Sequence, residues 1–267
     1  MGPKRALVLA GSRGATDPVA LAAGHPHKAL VPVLGVPMLL RVVRTLLASP
    51  GIERITLCID KGLKSHGLGA ELEGLIRQGI VDLAEPEASP SLSVAHVIER
   101  TASAGRGELW PLLVTTADHP LLTPAMVRHF CEATPDDADF TIGLAEASVI
   151  LKHHPDAIRT FYRFAGKGYS GCNLFMLATP KARRLVMFWQ EMERHRKRPW
   201  RLIAAVGVSV LCRFLIGRLT LDDALDHLSR RLGARIEAVT LPFAEAAIDV
   251  DKPADLALAE AILRGRG

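Results

Sequence analysis

Three stretches of the chain hold residues whose types and spacing could do chemistry. The first, "LVLAGSRGATDPVALAAGHPHKAL" at 7–30, ends an apolar run in a glycine loop that contains Arg13, and Lys28 follows. It is not G-x-x-x-x-G-K-[ST], because Gly14 precedes Ala15 and Thr16, and it lacks the glycines of G-x-G-x-x-G. Two readings stay open on this stretch alone. One is a loop whose backbone N–H groups face phosphates, with Arg13 and Lys28 adding positive charge. The other is a plain tight turn.

The second stretch, "LLVTTADHPLLTP", places Asp118 directly after an apolar run. A carboxylate there can hold a hard cation such as Mg2+, which prefers oxygen ligands. The competing role is a turn or helix-capping aspartate. The third stretch, "AEAAIDVDKPADL", offers Asp249 and Asp251, whose i, i+2 spacing points both carboxylates the same way. His25 and His27 have no third convergent ligand for a metal, so they are read as donors bordering the phosphate path. His119 stands beside a departing phosphate or fills the loop, and His153–His154 fall on a surface turn. Ser170 has no base placed to make it a nucleophile.

The elements that must position these residues alternate in type. "RALVLAG", "GIERITLCID", "IVDLAEP" and "ELWPLLVTTADHPLL" read as strands. Between them "VPMLLRVVRTLLAS", "GLGAELEGLIRQG" and "SPSLSVAHVIERTAS" read as helices. Thr123 caps a fourth helix with Pro124 at its first position. Such alternation predicts a parallel sheet with helices on both faces and ligands beyond the strands' carboxyl ends. Further on, "ADFTIGLAEASVILKHHP", "GYSGCNLFMLAT" and "ARIEAVTLP" read as strands. "PKARRLVMFWQEMERHRKRP", "LIAAVGVSVLCRFLIG", "LTLDDALDHLSRRLG" and "DKPADLALAEAILRG" read as helices.

Composition sets the outer limits. The chain has 267 residues, 49% of them apolar, which suits one large α/β domain over 1–267. A 1–135 nucleotide-binding half would precede a 136–267 acceptor-binding half that carries a helical insertion over 181–233. Only 5% of residues are aromatic and the net charge is +5, so nucleic acid is not an expected partner. Cys58, Cys131, Cys172 and Cys212 lack C-x-x-C spacing, so neither a zinc site nor a redox pair is indicated, and isolated thiols fit a reducing cytoplasm. The N-terminal apolar run is too short for a signal peptide. The basic run "RHRKRPWR" leads into the apolar run "LIAAVGVSVLC" at 202–212. Over 194–218 two readings stand: a helix packed on the sheet or on a second subunit of a homodimer, and a peripheral membrane contact.

Taken in order, "LAGSRG", "HKALVPVLGVPMLLRVVRTL", "SLSVAHVIE", "TTADHPLLTP", "GCNLFML" and "IDVDKPADLALAE" resemble the sugar-phosphate and cofactor nucleotidyltransferases. That superfamily includes molybdenum-cofactor guanylyltransferase and methylerythritol-phosphate cytidylyltransferase. The resemblance spans 5–263 and implies an α/β, Rossmann-like, mostly parallel sheet of the nucleotide-diphospho-sugar transferase type. It also implies Mg2+-dependent transfer of a nucleoside monophosphate. By this resemblance Ala10, Gly11, Ser12, Arg13, Gly14 and Lys28 would bind the triphosphate, and Asp118 would ligate the metal. Asp251 stands at a second metal-coordinating position. Ser91 and Ser93 would border the nucleobase, and Gly171 and Asn173 the acceptor. Three features depart from the pattern: the short first loop, Asp17 beside a triphosphate, and the long apolar stretch 191–232.

The expected reaction is attack of a phosphorylated small-molecule acceptor on the α-phosphorus of CTP or GTP, with release of pyrophosphate. Arg13, Lys28 and Asp118 would supply catalysis through positioning and charge neutralisation. Two alternatives come from other classes. A catalytically inactive nucleotide-binding or regulatory protein on the same fold would lose one of the two carboxylates. A nucleotide-sugar glycosyltransferase would carry D-x-D where this chain has "ADHP".

Overall fold

A computed structural model describes residues 2–11, 16–60, 63, 67–103, 109–195 and 207–266. Ten strands are described: β1 Arg5–Leu9, β2 Pro32–Val33, β3 Val36–Pro37, β4 Arg54–Cys58, β5 Val81–Ala84, β6 Leu112–Thr116, β7 Phe140–Glu146, β8 Tyr162–Phe164, β9 Lys167–Leu177 and β10 Ile236–Thr240. The α-helices are α1 Pro18–Ala22, α2 Met38–Leu47, α3 Ala70–Arg77, α4 Pro90–Ser103, α5 Pro124–Ala133, α6 Ala147–His153, α7 Arg183–His195, α8 Val208–Leu215, α9 Leu221–Leu232 and α10 Pro253–Gly265.

Eight strands form one sheet in the order β10-β7-β9-β6-β1-β4-β5, with β8 paired to β9. β5, β4, β1 and β6 run parallel, as the alternation of elements predicts. β9 runs antiparallel to both β6 and β7, which makes the sheet mixed but mostly parallel. Burial on both faces explains the continuous apolar runs. In β1, Ala6 and Val8 enter one core while Leu7 enters another.

Helices cover both faces for the same reason. α2 buries Leu39, Val42, Val43 and Leu46, the i, i+3, i+4, i+7 stripe of an amphipathic helix, and these residues join Met126, Val127 and Phe130 of α5. On the other face Val94, Val97 and Ile98 of α4 meet Val186 of α7 and the apolar side of α9. Thr123 caps α5, its hydroxyl accepting from Met126 N, and Gly233 closes α9 in the left-handed region at φ 59°. α7, α8 and α9 fill the interval between β9 and β10 where a helical insertion was expected.

Two expectations change. "ADFTIGLAEASVILKHHP" is not a strand throughout. β7 stops at Glu146, and α6 follows with Ile150 buried and Leu151 exposed, a one-sided burial that a short helix satisfies. The apolar run through 202–216 is not one helix among the described residues, because α8 starts after Gly207 at φ 99°, a conformation outside the helical region.

Candidate active site

The chain runs β1, β4, β5 to one side of β1 and then places β6 on the other. The loops after β1 and β6 therefore meet at a point where strand order reverses. Leu9 is level with Thr116, and Ala117 N donates to Leu9 O at 2.9 Å, so the strand ends at Ala10–Gly11 and Asp118 lie side by side. Gly11 does not adopt a positive φ, and a Cβ there would meet only Pro86 Cβ, at 3.8 Å. The fold itself does not demand glycine here, and the space beside it is open. Ser12, Arg13 and Gly14 lie outside the described residues.

Lys28 reaches this point from a single 3-10 turn, Lys28–Leu30. His27 caps that turn, its Nδ1 accepting from Ala29 N at 3.1 Å. Burial holds His27 below the usual histidine range, against the opposing charges of Asp60 and Asp17. His27 thereby braces the turn that carries Lys28. Asp17, the odd neighbour in the sequence, turns its carboxylate into α1, accepting from Val19 N and Ala20 N at 3.0 and 3.1 Å.

The Lys28 ammonium donates to Asp118 Oδ2 at 2.6 Å and to Asp251 Oδ1 at 2.7 Å. Burial opposes its charge, but Asp118 and then Asp251 outweigh that, and the lysine pKa stands above its ordinary value. A third small core aligns the segments carrying these side chains. Val31 and Val33, Leu121, and Ile248 and Val250 pack together with Met38 and Ala259, all fully buried. Ile248 and Val250 face this core, so Asp249 between them and Asp251 after them point away from it, as the i, i+2 spacing predicts. Val250 N donates to Asp118 O at 2.9 Å and ties the two acidic loops together. Asp255, in the first turn of α10, accepts from Asp251 N and Lys252 N at 3.0 and 2.9 Å.

Asp249 and Asp251 share an orientation but not a partner. Asp249 pairs with Arg159, and its Oδ2 accepts from Asn173 Nδ2 at 2.9 Å. Asn173 stands at φ 50° in a β-bulge, where the β7–β9 register shifts between Ile142 and Leu144. Such a bulge re-aims a side chain out of the ladder. Gly143, opposite it, admits Leu174, since a Cβ there would lie 3.1 Å from Leu174 Cβ. Gly171, Asn173, Ser170, Arg159, Asp249 and Asp251 line one cleft of about 730 Å3. His119 is buried near Asp249 and Asp118, and its pKa is pushed down to about 4, chiefly by burial. It is a neutral imidazole at neutral pH.

Ser91 and Ser93 lie at the start of α4, both buried. Ser93 Oγ accepts from Glu87 N at 2.9 Å and fixes the loop after β5, while Ser91 donates to Glu193 of α7. Arg159, Asp255 and Glu193 were not found by sequence reasoning. Arg159 and Asp249 are 90 positions apart, so only the fold pairs them.

No group of three or more His, Cys, Asp or Glu side chains is arranged to hold a metal among the described residues. Asp118 and Asp251 nonetheless fit a divalent cation that keeps several waters and binds through one or two carboxylates. They already converge on one cationic point, and Asp118 Oδ1 is buried without a hydrogen bond among the described residues.

Residues 6–184 match the family described as the MobA-like NTP transferase domain. No curated protein matches the chain. Among solved structures, a hypothetical transferase from Thermus thermophilus is 28% identical with a TM-score of 0.74, covering 96% of this chain and 100% of its own. CMP:2-keto-3-deoxy-manno-octonic acid synthetase complexed with CTP is 14% identical with a TM-score of 0.54, covering 98% of each chain. A 4-diphosphocytidyl-2C-methyl-D-erythritol synthase from Anaerococcus prevotii DSM 20548 is 12% identical with a TM-score of 0.57, covering 97% of this chain and 95% of its own. At these identities the last two show a shared fold.

Proposed function

The chain belongs to the MobA-like NTP transferase domain family and is a nucleotidyltransferase, and from that premise we propose that it transfers a nucleoside monophosphate from CTP or GTP to a phosphorylated small-molecule acceptor, with Mg2+ as cofactor. The observation that carries this reading is Lys28 joined to Asp118 and Asp251 where the strand order reverses, beside the strand end at Gly11. The cytidine nucleotides in the names of two structural neighbours put CTP ahead of GTP. The unpaired cysteines fit a cytoplasmic setting.

An acceptor phosphate oxygen attacks the α-phosphorus in line. The bond from the α-phosphorus to its bridging oxygen breaks, and pyrophosphate leaves with the electron pair. The nucleophile is already ionised at neutral pH, so no side chain need remove a proton. Mg2+ held by Asp118 and Asp251 would neutralise phosphate charge. Lys28, with Arg13 from the first loop, would attract the triphosphate and stabilise the departing pyrophosphate. Asn173 and Gly171 line the cleft as the acceptor's walls, and Arg159 and Asn173 hold Asp249 so that the 249–251 loop keeps its register. Ser93 would steady the loop bordering the nucleobase.

Pyrophosphate release, assayed with each of four triphosphates against a panel of phosphorylated acceptors, tests the proposal. Release that requires both a preferred triphosphate and an acceptor, and that stops with a chelator, is the expected result. No release with any pair would leave the chain a binding protein on a transferase fold.

A further inference from the structure

We propose that Lys28 is the resident cation of the ligand-free site. Its ammonium keeps free divalent metal off Asp118 and Asp251 until a triphosphate gives the lysine another anionic partner. This rests on the nucleotidyltransferase reading and adds an order of events to it.

The geometry carries the inference. The ammonium lies 2.6 Å from Asp118 Oδ2 and 2.7 Å from Asp251 Oδ1, so it bridges the two carboxylates that fit the metal. A second cation cannot share those oxygens without facing the first at close range, where like charges repel strongly. The lysine side chain is only 11% exposed, so little water screens the pair.

The same geometry allows release. The lysine backbone is fixed by the His27 cap and by Val31 N donating to Lys28 O at 3.1 Å. The side chain beyond it has four rotatable carbons, so the ammonium can swing without backbone motion. Asp251 is the open side of the clamp, its side chain 49% exposed at the cleft, while Asp118 is 24% exposed. A triphosphate arriving beside Gly11 offers the ammonium new oxygens and frees both carboxylates together. Metal and nucleotide then bind with positive coupling, and metal alone binds poorly.

Mn2+, titrated by paramagnetic resonance without nucleotide, tests this directly. Lys28→Met and Lys28→Gln should each bind one Mn2+ more tightly than the wild type by about tenfold or more, within the usual range for coupled sites. Adding Asp118→Asn to Lys28→Met should remove the gain, which shows that it arises at this site and not from loosened structure. The glutamine variant keeps a hydrogen-bond donor between the acids should the methionine variant fail to fold. Equal ligand-free affinity in wild type and variants overturns the proposal. If wild type then binds Mn2+ with the α,β-methylene analogue of CTP, the metal reading survives alone. No Mn2+ in any state, analogue included, removes both.

Discussion

Lys28 faces two carboxylates in the ligand-free chain and, by the proposed function, phosphates during turnover, so the residues that fix its place matter as much as its charge. Asp118→Asn removes one charged partner at a strand end outside the main cores. The fold should persist, while turnover should fall by about 100-fold or more, as when other transition-state charge stabilisers are lost. A folded variant with near wild-type pyrophosphate release would place the metal elsewhere. His27 contributes through its neutral form, whose Nδ1 accepts from Ala29 N. Burial lowers its pKa in the fold, so the unfolded chain binds the proton more readily. That stability is present above the unfolded pKa of about 6.5 and is lost as pH falls below it. Melting temperatures of wild type and His27→Asn from pH 8 to 5 check this, because asparagine also caps but does not titrate. The wild type should lose more stability on acidification than the variant, and parallel curves would contradict it. Lys28, Asp118 and Asp251 were legible in the sequence because each follows a strand-like run or a glycine loop. His27 and Asp255 were not, because their work is done on backbone N–H groups, which no residue pattern displays.

At the scale of elements, the parallel half of the sheet was readable, since β1, β4, β5 and β6 are short apolar runs separated by amphipathic helices. The β9 bulge was hidden. Asn173 at φ 50° and the register shift against β7 depend on a partner strand some thirty positions away, and propensity carries no such information. α6 was misread as strand because "SVIL" is rich in β-branched residues, yet its single buried residue, Ile150, requires only one helical face. The bulge makes its own prediction. A Cβ on Gly143 would meet Leu174 Cβ at 3.1 Å and Leu241 Cδ1 at 3.2 Å. Gly143→Ala should cost about 1–3 kcal/mol, the usual range for overpacking, measurable by urea denaturation. It should also reduce turnover at saturating triphosphate by disturbing Asn173 and, through it, Asp249. Unchanged stability and turnover would show that the bulge does not position the cleft.

For the whole molecule, the 194–218 segment divides a packed helix from a membrane-facing one. No helix among the described residues is long and apolar enough to cross a membrane. Residues 196–206, including Arg196, Lys197 and Arg198, lie outside the described residues. Within α8, Phe214 packs edge-on against Phe164 of β8 at 5.8 Å, which anchors the helix to the sheet, while Leu215 and Ile216 beside it are exposed. That anchoring predicts no salt-sensitive co-sedimentation with anionic liposomes. Binding that disappears when Arg196, Lys197 and Arg198 become glutamine would assign the segment to a membrane surface. Nucleotidyl transfer is defined by which phosphorus reacts. The deciding measurement follows label from CTP, or from GTP where that is preferred, carried in one experiment on the α-phosphate and in another on the γ-phosphate, with a competent phosphorylated acceptor. The α-label should appear in the acceptor product and the γ-label in pyrophosphate. Transfer of the γ-label to the acceptor, with the α-label left in a nucleoside diphosphate, would contradict nucleotidyl transfer at this site.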